Sequence, residues 1–187
     1  RLIIVNEVYD QFLHLLQEKL GSYVMGDPMN PAFNIGPLAR LDLRQQVHRQ
    51  VERSIERGAT LRKGGVIPEQ EGWWYPITIL EDVKPGMPAF DDEIFGPVLS
   101  LVRAEHDKHA IELASETRFG LGAAIFSANT ANAKRIAIEE IEAGCVAIND
   151  FVRSDPRVPF GGIKDSGYGR ELGKLGIHEF VNSKSVV

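Results

Sequence analysis

Of the 187 residues, 43% are hydrophobic and 25% charged, with 21 Lys and Arg against 26 Asp and Glu for a formal charge of −5, which suits a globular domain with a sizeable core. This mildly acidic balance, with its basic residues scattered, speaks against nucleic acid as the main partner. No apolar run approaches the roughly 18 residues that cross a bilayer, and a lone cysteine, Cys145, excludes an internal disulfide and fits a reducing, cytoplasmic compartment.

The chain opens at Arg1 without an initiator methionine, and we read it as a piece of a longer protein. Leu2–Val5 is a buried-strand candidate, and Asn6 is a candidate cap for a helix with Val8, Tyr9, Phe12, Leu16 and Leu20 on one face, stopped at Gly21. Residues 26–37, with Gly26, Pro28, Pro31, Gly36 and Pro37, form a loop. A second helix is expected from a cap at Asp42, with Leu43, Val47, Val51 and Ile55 inward and Gly58 as its end. From Thr60 to Arg103 the pattern is β-rich, with strands at 77–80 and 98–102. Helices at 108–117 and 131–142, the latter capped by Thr130, then alternate with strands at 122–126 and 145–149. Such alternation predicts an α/β fold, a mostly parallel sheet with flanking helices. Val158 to Gly176 holds six of the 18 glycines, and 179–187 reads as a terminal strand.

Two strings carry candidate chemistry. In Glu93-Ile94-Phe95-Gly96-Pro97-Val98, residues two apart on extended chain project to the same side. A carboxylate there can accept both hydroxyls of a ribose while an aromatic face lies against a planar ring. The competing reading is a solvated Glu93, a core Phe95 and a turn leading into a strand. In Pro159-Phe160-Gly161-Gly162-Ile163-Lys164 the paired glycines permit close approach of another surface, or else mark a tight turn around a buried Phe160. Gly167-x-Gly169 and Gly173-Lys174 complete neither the dinucleotide fingerprint nor a P-loop. His106 and His109 alone, among five histidines, have a ligand-like spacing, so no metal site is expected. Cys145 sits in an apolar strand pattern, where burial favours an inert thiol over a nucleophile.

Taken in order, Gly26-Asp27-Pro28, Gly36-Pro37-Leu38, Trp74-Tyr75-Pro76, the string at 93–98, Phe119-Gly120-Leu121, Gly144 to Asn149, the string at 159–162 and Ser166 to Glu171 resemble the aldehyde dehydrogenase superfamily over essentially the whole chain. The resemblance implies an NAD(P)-dependent enzyme: a cysteine thiolate attacks the aldehyde, hydride passes to NAD or NADP, and a glutamate activates water. It assigns Glu93 to the nicotinamide ribose, Phe95 to the nicotinamide, Ser154 and Phe160 to the substrate channel, and Glu171 to a proton relay. It places the nucleophile just upstream of Arg1, so no catalytic residue is expected here and the 187 residues alone should be inactive. Residues 1–176 are then a catalytic-domain segment and 177–187 an oligomerisation strand for a homo-oligomer, dimer or tetramer, unless that strand folds back within its own subunit. Ser154-Asp155-Pro156-Arg157 and the ending from Gly169 look most like succinate-semialdehyde dehydrogenases; the Ser154 hydroxyl with nearby Arg153 and Arg157 would receive a distal carboxylate, unless these arginines simply face solvent. Other small aldehydes stay open as substrates. A different class of reading is a non-catalytic binding or oligomerisation module.

Overall fold

The computed structural model describes all residues, Arg1–Val187. The chain divides into two compact units, Arg1–Leu113 and Ala114–Val187. The boundary expected after Gly176 follows from the resemblance, and no linker composition marks the division at residue 113.

The first unit is built on a four-stranded sheet in the order β1–β4–β3–β2. Strands β1 (Leu2–Val5), β4 (Val98–Ala104) and β3 (Thr78–Glu81) run parallel, with Leu2 opposite Leu101 and Thr78 opposite Val98; β2 (Thr60–Lys63) pairs antiparallel to β3. The near-continuous apolar runs of β3 and β4 follow from burial on both faces. Ile79 and Leu101 turn to one side, packed with Ile4 and with Tyr9 of helix α1 (Asn6–Gly21). Leu80 and Val102 turn to the other, against Val47 and Val51 of helix α2 (Leu41–Glu56), Phe90 of the short helix α3 (Pro88–Asp91), and Leu113 of helix α4 (Asp107–Ser115). Each fully buried side chain of this size contributes roughly 2 kcal/mol.

Several local expectations shift. Val5, not Asn6, precedes α1, and the Asn6 side chain instead accepts from Arg103 at 3.3 Å. Asp42 lies inside α2, where it pairs with Arg40 at 2.8 and 2.9 Å. The buried stripe of α2 includes Gln50 and Ser54, which an apolar count passes over, and Ile55 is exposed. Ser54 fits inside because its hydroxyl donates to the Gln50 carbonyl (2.7 Å) and accepts from the Ala89 N–H (2.9 Å), so burial leaves nothing unpaired.

In the second unit, β6 (Gly122–Ile125) and β7 (Cys145–Ile148) pair in parallel through helix α5 (Thr130–Glu139). Asn129 caps α5 by accepting the Asn132 N–H at 3.0 Å, the role expected of Thr130. The two-residue strands β5 (Phe119–Gly120) and β8 (Ile163–Lys164) pair antiparallel. Ile177 and His178, expected to open a terminal strand, belong instead to helix α6 (Gly173–His178), and residues 179–187 pair with no strand of this chain.

Candidate functional site

In the first unit, residues 92–97 run as irregular chain between α3 and β4. Ile94 packs into the core while Glu93 is exposed and Phe95 is 65% exposed. Both named residues are therefore exposed on either side of an inward Ile94, and Phe95 is not a core residue. The loop is held from behind by α2: the Gln50 side chain donates to the Glu93 carbonyl oxygen at 3.4 Å. A Cβ at Gly96 would come 2.9 Å from Val47, so only glycine lets the loop lie this close to the helix. The Gly96 N–H bonds to Ile94 O (2.9 Å), Val98 N–H to Gly96 O (2.8 Å), and the Thr78 N–H of β3 to Pro97 O (2.8 Å). An exposed carboxylate and an exposed ring, two residues apart on a pinned loop, fit what a ribose diol and a planar base require.

The second unit contains a cleft of about 490 Å³ whose lining includes Cys145, Phe151, Arg153, Asp155, Arg157 and Phe160. Strand β7 supplies one wall, and the returning segment 150–160 supplies the other. Phe160 is fixed by reciprocal 2.8 Å backbone bonds with Glu171. These bring the two predicted residues together in the backbone, while the Glu171 side chain is left exposed. Ser154 is exposed and does not line the cleft, although its neighbours Arg153 and Asp155 do. Cys145 is half-buried at the lining, not sealed in a core, and its thiol donates to the Pro159 carbonyl at 3.9 Å.

Both cleft arginines hold local acids. Arg153 pairs with Asp150. Arg157 clasps Asp155 through Nε (2.9 and 3.2 Å) and Nη2 (2.5 Å), and its own backbone N–H donates to the same carboxylate at 2.9 Å. The Asp155 carboxyl is consequently held below its ordinary range, first by the Arg157 side chain and then by the Arg157 N–H. Asp150 is lowered first by the Phe151 N–H and then by Arg153. Both acids therefore stay ionised through neutral pH. The two acids are not among the residues expected from sequence; the Asp-x-x-Arg and Asp-x-Arg spacings at 150–153 and 155–157 are the signal that points to them.

A family model described as "Aldehyde dehydrogenase family" matches residues 1–186. The chain is 44% identical over 186 residues to an aldehyde dehydrogenase of Paenarthrobacter nicotinovorans, covering all of this chain and 40% of that protein. It is 42% identical to a succinate-semialdehyde dehydrogenase [NADP(+)] of Mycobacterium avium (strain 104), again over the whole chain and 39% of the relative. Among solved structures, succinic semialdehyde dehydrogenase from Streptococcus pyogenes in complex with NADP+ superposes with a TM-score of 0.91 at 38% identity, over 96% of this chain and 39% of that one. The chain thus spans about two fifths of the length of the curated relatives it matches.

Proposed function

The chain belongs to the aldehyde dehydrogenase family, and on that premise we propose that a full-length protein carrying these residues oxidises succinate semialdehyde to its acid with NAD+ or NADP+. The observation that carries the reading is the cleft of the second unit, where Arg153 and Arg157 share a lining with the apolar ring of Phe160. A guanidinium offers a carboxylate paired N–H donors, and an aromatic wall suits a short hydrocarbon spacer. Phe160 bounds the substrate from the side, and Ser154 belongs to the same loop. The bound cofactor supplies the hydride acceptor. Toward it, Glu93 accepts hydroxyl hydrogens of the ribose and Phe95 covers the nicotinamide ring.

Residues 1–176 act as a catalytic-domain segment in this reading, and Glu171 is available for proton relay. Segment 177–187, whose residues are all exposed, pairs with a neighbouring subunit in a cytoplasmic homo-oligomer. The part beyond α6 pairs with no strand of this chain, which leaves its backbone groups open to that kind of addition. In this reading Cys145 is a half-buried thiol on the cleft wall, 3.9 Å from the Pro159 carbonyl oxygen, and does not supply the attacking sulfur.

A substrate panel differing only in charge tests the assignment. With either cofactor, kcat/KM for succinate semialdehyde is expected to exceed that for a cationic aldehyde of similar length by about tenfold or more, as paired recognition of a carboxylate predicts. The 187 residues run alone in that assay should give no reduced cofactor above blank. Preference for the cationic or the uncharged aldehyde would remove the substrate assignment.

A further inference from the structure

We propose that Asp155 sets the charge selectivity of the cleft by competing with the substrate's distal carboxylate for Arg157. This rests on the reading of the cleft as an aldehyde site, but it concerns a residue which that reading leaves without a task.

Three observations support it. Asp155 occupies the Nε and Nη2 edge of the Arg157 guanidinium, the edge that would otherwise fork onto an incoming carboxylate. The acid is also the better-sheltered partner, with its side chain 30% exposed against 84% for Arg157, and it is pinned by a backbone N–H that the substrate cannot take away. Lastly, Arg153 is matched by Asp150, so the charged groups that these 187 residues bring to the cleft, two arginines and two aspartates, sum to zero. An anionic substrate therefore meets donors without a net attracting charge. At Arg157 it must either use the remaining guanidinium edge beside a like-charged oxygen or displace Asp155. Both routes cost affinity for the anion and leave an uncharged aldehyde unaffected.

Asp155→Asn in the full-length protein separates charge from shape, because the amide oxygen can still accept the Arg157 N–H. The measured quantity is the ratio of kcat/KM for succinate semialdehyde to that for butanal. It is expected to rise about threefold, the scale of an exposed ion pair, and Asp155→Ser should move it the same way. Adding Arg157→Gln to Asp155→Asn should abolish the gain, since the freed guanidinium is its source. An unchanged or lower ratio overturns the proposal, as does a gain that survives loss of Arg157. If the wild type oxidises butanal but not succinate semialdehyde, the substrate assignment fails by itself. A rise in anion turnover on Asp155→Asn would still support the competition in that case, and no rise would still count against it.

Discussion

Gly144→Ala is expected to destabilise the protein by about 3 kcal/mol, at the upper end of what an overpacked site costs. A Cβ at this position would lie 1.8 Å from the Gly161 carbonyl oxygen and 3.2 Å from the Gly162 Cα. Both neighbours are backbone, so no rotamer change relieves the clash and the strand or the glycine pair must move. Gly144 immediately precedes β7 and Gly161 follows Phe160, so the displacement opens the cleft where β7 faces the returning segment. Chemical denaturation of the full-length protein measures the stability loss. Gly21→Ala is the matched control: nothing lies within 4 Å of its added Cβ, and its effect should stay within about 0.5 kcal/mol. Equal midpoints for the two variants would mean that the glycine pair does not set this wall.

Glu93→Gln in the full-length protein is expected to slow hydride transfer about tenfold while leaving stability near wild type. A carboxylate accepting hydroxyl hydrogens makes stronger bonds than a neutral amide, and a loss near 1.4 kcal/mol of productive placement is a factor of ten in rate. Glu93 is exposed, and only its backbone carbonyl is used by the fold, through Gln50. The substitution should therefore act on placement and not on folding. Single-turnover rates with aldehyde deuterated at the reacting carbon isolate the step. A wild-type rate with an unchanged isotope effect would take Glu93 out of this role.

The central strands of the first unit are legible because burial on both faces writes itself into continuous apolar runs at 77–80 and 98–102. The outward pair Glu93 and Phe95 is legible in the polar–apolar–aromatic pattern around Ile94, although the loop that presents them turns at Phe95 and is not extended. What escaped depended on contacts distant in sequence. Nothing local tells a reader that Ser54 of α2 finds the Ala89 N–H, so the helix looks narrower inside than it is. Helix α3 is four residues long and shows too little period to be seen. Cys145 looked sealed because its strand is apolar, but the wall opposite it is the returning segment 150–160, which leaves a cleft. Asp150 and Asp155 were passed over because a short-range acid–arginine spacing has no meaning until the arginines are known to face a cavity.

On the proposed function, these residues wall in cofactor and aldehyde while the attacking sulfur comes from elsewhere in the full-length protein. Cys145→Ala in the full-length protein tests it most directly, by the burst of reduced cofactor in the first turnover. The burst is predicted to keep its amplitude, with a rate within about twofold of wild type. A loss of around a thousandfold or more, the scale for removing a nucleophile, would make Cys145 the reacting thiol and contradict the account.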